Sequence, residues 1–98
     1  MKKQTCFYLK ANATWKDSNR RKGGYISYSD VSIKNCLIEV VGNDVIIYES
    51  ATSYGIIIHR KKLYGKYLSF TGKKVTERTF KRHLSELQKL ADTLKAER

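Results

Sequence analysis

The amino-acid sequence predicts an α+β domain: an antiparallel β-meander over residues 1–75, followed by one amphipathic C-terminal helix over 76–98. Three observations predict it. Apolar and polar residues alternate from Phe7 to Trp15, two apolar runs flank Gly42-Asn43-Asp44, and from Thr76 the apolar period lengthens to three and four. Strands first and a helix last along the chain is the mark of the α+β class.

In chain order, Phe7, Leu9, Ala11, Ala13 and Trp15 share one parity and predict a half-buried first strand. Lys16 to Gly24 reads as turn material: Asp, Ser, Asn, three consecutive cations and a Gly pair. Tyr25 to Ile33 is a second extended segment, with Asp30 marking a bulge or break. Cys36–Val41 and Val45–Tyr48 form a hairpin around Gly42-Asn43-Asp44. Tyr54–His59 and Leu63–Phe70 are expected to form a second hairpin around Arg60-Lys61-Lys62. With these, the meander has five to six strands.

The helix is predicted over residues 76–96. Phe80, Leu84, Leu87, Ala91 and Leu94 lie on one face, with Thr76 as N-cap and Glu77 in the first turn. That stripe is expected to lie across one sheet face. The facing core is Phe7, Leu9, Trp15, Ile38, Val40, Ile47, Ile56, Ile58 and Leu68.

The chain has 98 residues, enough for a single domain with one modest core. Its longest aliphatic runs, Val45-Ile46-Ile47 and Ile56-Ile57-Ile58, are far too short to span a membrane. The apolar stretch after Met1-Lys2-Lys3 is cut off by Lys10, so a cytoplasmic protein without a signal peptide is expected. Cys6 and Cys36 each fall in a strand and read as small buried side chains, a disulfide between them being the alternative. Scattered Cys and His residues give no metal-ligand spacing. No metal, cofactor or membrane partner is expected.

The formal net charge is +11, and it is unevenly placed. Residues 1–22 and 59–75 each carry a net +6, whereas residues 23–58 hold only Lys34 against Asp30, Glu39, Asp44 and Glu49. The excess sits in segments read as turns. This pattern points to a polyanion: Lys16, Arg20, Arg21, Lys22, Arg60, Lys61, Lys62, Lys66, Lys73, Lys74 and Arg78 would contact phosphates. Tyr64, Tyr67 and Phe70, lying among the cations at 60–74, could stack on unpaired bases. If the turns at 16–24, 42–44 and 60–63 are successive alternates of the meander, the first and third share an edge with the acidic middle turn, and strand order decides whether they meet.

Catalytic patterns are sparse. His59, His83 and Glu49, with Arg60 or Arg82, are the residue types a ribonuclease uses, but no spacing brings them together. Nucleophile motifs and phosphate-binding glycine loops are absent from the sequence. A non-enzymatic protein is expected.

In the C-terminal half of the chain, Ser53-Tyr54 through Phe70, followed by Thr76-Glu77-Arg78-Thr79-Phe80-Lys81-Arg82-His83-Leu84, resembles small uncharacterised phage and mobile-element accessory proteins, which have a Ser-Tyr strand start, a short hairpin and a Thr-rich helix entry leading to a His. Four positions separate Thr79 from His83, one more than in that pattern. The resemblance implies a sheet-plus-helix accessory protein, a class that includes inhibitors of host defence such as anti-CRISPR proteins. Two functions follow as expectations: binding of nucleic acid or a ribonucleoprotein through the basic turns, and inhibition of a host protein by direct binding.

Overall fold

Sixteen residues of unbroken strand, β1 (Thr5–Arg20), form the spine of the structure. It is a computed structural model that describes residues 5–20, 23–65 and 67–97, excluding the side chains of Asn19 and Arg20. β2 (Ile26–Val41), β3 (Asp44–Thr52), β4 (Gly55–Lys62), β5 (Ser69–Val75) and the helix α1 (Glu77–Ala96) follow. All five strands belong to one antiparallel sheet of order β4-β3-β2-β1-β5. The class is α+β.

The meander holds for β1 to β4 and then breaks. The expected hairpin around Arg60-Lys61-Lys62 does not form. These three residues instead complete β4, opposite Ile46, Val45 and Asp44 of β3. The turn comes earlier, at Ser53-Tyr54, where Gly55 takes φ 114° and the Thr52 hydroxyl donates to the Gly55 carbonyl at 2.8 Å. A cation-rich segment suits an edge strand, because its charges discourage pairing with another chain. β5 crosses to the opposite edge and pairs with β1, from Ser69↔Thr14 to Val75↔Phe7.

The first strand also outruns its expected end. Lys16–Arg20 continue the ladder against Asp30–Ile26, so Lys16 stands on a strand and Asp30 breaks nothing. β5 leaves β1 at Thr14 and β3 joins β2 only from Leu37. Trp15–Arg20 and Ile26–Val31 are therefore a two-stranded ribbon extending beyond the sheet. The radius of gyration reflects this: 15.3 Å, against about 13 Å for a compact chain of this length.

The irregularity that matters most lies at Lys10 (φ 49°) and Asn35 (φ 55°). Each is an extra residue in its strand, since the register steps from Tyr8↔Ile38 to Ala11↔Cys36 and then to Ala13↔Ile33. Such bulges move every later side chain to the other face. The Asn12 carboxamide oxygen accepts the Asn35 backbone N–H at 3.2 Å and holds the pair in place.

Two cores result. Phe7 and Leu9, before the bulge, meet Phe80 of α1, with Leu37, Tyr48, Val75 and Leu84 around them. Ala11, Ala13 and Trp15, after it, belong to a second cluster with Cys36, Ile38, Val40, Val45 and Ile47 on the other face. The expectation of one core facing the helix is corrected accordingly. Ile58 is corrected as well, being exposed at the β4 edge. The second cluster is covered because the sheet curls: Trp15 of β1 reaches His59 of β4, ring centroids 5.1 Å apart, across the width of β2 and β3. Leu63 and Leu68, in the β4–β5 connection, pack on the same cluster.

The helix begins as expected. Thr76 is the N-cap, its hydroxyl accepting the Thr79 N–H at 3.3 Å, and Glu77 pairs with Lys81 at 2.9 Å. Phe80 and Ala91 are buried, while Leu84, Leu87 and Leu94 are half-buried. Cys6 and Cys36 are free thiols. Cys36 is buried with its thiol donating to the Ala11 carbonyl at 3.2 Å, and burial pushes that thiol's pKa up.

Candidate functional site

The curl of the sheet brings Lys16 of β1 to the end of β4. Lys16, Arg60, Lys61 and Lys62 line one cavity of about 500 Å³ together with Trp15, Asp44, Ile46, Gly65 and Leu68. A second cavity of about 420 Å³ adjoins it, sharing Trp15 and Lys16 and adding Thr14, Asp30, Val31, Ser32 and Tyr67.

Each lysine has a defined place. The Lys61 ammonium lies 4.8 Å from the centroid of a Trp15 ring and 3.4 Å from Asp17 Oδ1. The same carboxylate oxygen accepts the Trp15 indole N–H at 3.0 Å. Lys62 donates to Asp44 Oδ1 at 2.6 Å. Lys16 lies 3.8 Å from Asp30 and 5.3 Å from the centroid of the Tyr67 ring. The acidic 42–44 turn meets the basic segment at the end of β4, where the Leu63 N–H donates to the Asn43 carbonyl at 2.7 Å, while Arg20 pairs with Ile26 at the other end of β2.

Three cross-strand aspartates thus balance three of the four cations. These pairs are partly or largely exposed, from 30% for Lys61 to 84% for Asp30. Pairs of this kind contribute about 0–1 kcal/mol, so an arriving phosphate competes with a carboxylate for each ammonium at little cost.

The β4–β5 connection is a pair of tight turns. Gly65 donates to the Lys62 carbonyl at 2.8 Å, and Leu68 donates to the Gly65 carbonyl at 3.2 Å. A Cβ on Gly65 would lie 2.8 Å from that Lys62 oxygen, so glycine is required there. The connection leaves Tyr64 84% exposed and Tyr67 53% exposed, the latter at φ 69°.

The remaining expected phosphate-binding residues divide. Lys73 and Lys74 lie well along β5, opposite Leu9 and Tyr8, and Arg78 is in the first turn of α1. All three are exposed, and they line neither cavity. Arg20 is at the ribbon end, its side chain outside the described residues, as are Arg21, Lys22 and Lys66. Trp15 and Leu68 join the site without having been expected there. Of the aromatics expected to stack, Tyr67 lines the second cavity, whereas Phe70 packs on Tyr8 against the core.

Spacing gives no reason for Glu49 and His59 to meet, yet the β3–β4 hairpin sets their side chains 2.7 Å apart. His83 is on α1, half-buried, 4.0 Å from Glu86. It lines a third cavity with Cys36, Tyr48 and Glu49. Among the described residues no group of His, Cys, Asp and Glu could hold a metal ion, and no helix is long and apolar enough to cross a membrane. No protein-family model, curated protein or solved structure matches the chain.

Proposed function

We propose that this protein is a small cytoplasmic binding protein that takes nucleic acid, free or within a ribonucleoprotein, without catalysing a reaction. The observation that carries the reading is the convergence of Lys16 with Arg60, Lys61 and Lys62, segments 44 residues apart, on one cavity beside exposed tyrosines. Cations gathered in this way contact phosphates, and counterion release makes the affinity fall with salt.

The test is a titration of labelled oligonucleotides at about 50 and 200 mM salt, repeated with Arg60→Ala and Lys61→Ala. Removing one phosphate-binding cation lowers the log–log salt slope by about one. Asp30→Asn and Asp44→Asn should tighten binding, since each removes a carboxylate that competes with phosphate. Slopes unchanged across the cation variants overturn the reading.

A second reading, direct inhibition of a host protein by an accessory protein of phage type, draws support from the β4 edge. There Ile57 and Ile58, ahead of the cations at 60–62, are exposed on a strand that pairs on one side only among the described residues, a template for strand addition by a partner. A complex with one host protein that survives nuclease treatment would favour it.

A further inference from the structure

We infer that the nucleic acid this site takes is an unpaired strand, with one base lodged in the cavity beside Tyr67 and its phosphate held by the neighbouring cations. The inference rests on the nucleic-acid reading above and specifies its substrate.

The two adjoining cavities differ in character. The first is lined by Arg60, Lys61 and Lys62, and Asp44 within it is engaged by Lys62 at 2.6 Å. The second is lined by one cation, Lys16, with Thr14, Ser32, Asp30 and Tyr67 beside the apolar Trp15 and Val31. The first gathers Lys16, Arg60, Lys61 and Lys62 around Asp44, whereas the second sets Lys16 alone against Asp30, so a phosphate belongs in the first. A base edge, which offers both donors and acceptors, finds partners in the second. Lys16 and Trp15 line both cavities, so the two compartments adjoin. Both volumes, about 500 and 420 Å³, fall within the range of small-ligand sites. A duplex keeps its bases stacked inside and can present only its backbone to such hollows, whereas a single strand can turn a base into one.

Tyr67 supplies the independent observation. Its backbone is held at φ 69°, a conformation uncommon for a residue with a bulky side chain. Strained residues of this kind cluster at ligand clamps. The tight turns at Gly65 and Leu68 hold the loop, and the Tyr67 ring rests near the Lys16 ammonium with over half its surface accessible. An aromatic ring beside a cation on a basic surface is the arrangement that stacks bases without regard to sequence.

The experiment compares fluorescein-labelled dT12 and U12 with a 12-base-pair hairpin duplex, at about 50 and 200 mM salt. The expected result is tighter binding of the single strands than of the duplex. Tyr67→Leu should weaken single-strand binding about five- to a hundredfold with an unchanged salt slope, because stacking releases no counterions. Tyr67→Phe should retain affinity. Tyr67→Gly keeps the loop, since glycine is at ease at this φ, and should lose affinity as Tyr67→Leu does, with circular dichroism confirming the fold. Equal or tighter duplex binding, or an unaltered Tyr67→Gly, overturns the single-strand inference and leaves nucleic-acid binding standing. Absence of binding to every oligonucleotide at about 50 mM salt overturns both.

Discussion

The ammonium of Lys61 and the indole of Trp15 meet at 4.8 Å although β2 and β3 separate their strands in the sheet. The contact exists only because the sheet curls, and it joins the core behind Trp15 to the cation cluster in front of it. Lys61→Ala removes the cation–π contact, the Asp17 pair and a side chain that is only 30% exposed. It should destabilise the fold by about 1–2 kcal/mol, with Lys61→Arg costing much less. Urea unfolding followed by the fluorescence of Trp15, the sole tryptophan, measures both.

The bulge at Lys10 makes a prediction that runs against strand propensity. Valine favours strands, but at φ 49° its branched side chain is strained. Lys10→Val should destabilise by about 1–2 kcal/mol, while Lys10→Gly should be close to neutral. Thermal melts of the two variants decide the matter. A neutral Lys10→Val would mean that the chain passes this point in ordinary extended form.

Gly72 faces the same bulge from β5. A Cβ there would lie 3.0 Å from the Ala11 Cβ, 3.1 Å from the Tyr8 Cβ and 3.2 Å from the Ala11 Cα. None of these atoms is the tip of a flexible side chain, so the strands themselves must shift. Gly72→Ala should cost about 1–3 kcal/mol, read as a lower urea midpoint at unchanged slope.

Tyr48 links the helix-side core to the protein's behaviour in alkali. Its hydroxyl donates to Glu39 at 3.2 Å, and its ring meets Phe80 with centroids 5.9 Å apart. Burial, and then the Glu39 carboxylate, push its pKa above the ordinary value of 10.0. The folded state thus holds the phenolic proton more tightly than the unfolded chain does. This contribution is complete below pH 10.0 and is lost as pH rises towards the elevated folded value. Tyr48→Phe should be less stable at pH 7 by about 0.5–1.5 kcal/mol, the worth of one hydrogen bond. The gap between the two proteins should close above pH 10.0 in paired denaturation curves.

The helix shows how far local pattern reaches. Thr76 and Glu77, together with the spacing from Phe80 to Leu94, are enough to place α1, because capping and amphipathicity are properties of neighbours in sequence. The first hairpin is legible for the same reason: Gly42 and Asn43 make its turn, with Gly42 at φ 62°. The cations of the site could be named but not sorted. Lys16, Arg60, Lys61 and Lys62 converge, while Lys73, Lys74 and Arg78 line neither cavity, and nothing in their local sequence separates the two groups.

By itself, then, the sequence determined the α+β class, the helix, the first hairpin and an excess of positive charge with an acidic middle. Periodicity, turn chemistry and charge are all written locally. The tertiary structure decided which face each apolar residue serves, because the perfect alternation from Phe7 to Trp15 gives no sign of the left-handed step at Lys10. It also sent β5 to the far edge and curled the sheet until Lys16 met the end of β4. Strand order and curvature arise from contacts between residues far apart in the chain, and those contacts place the candidate site.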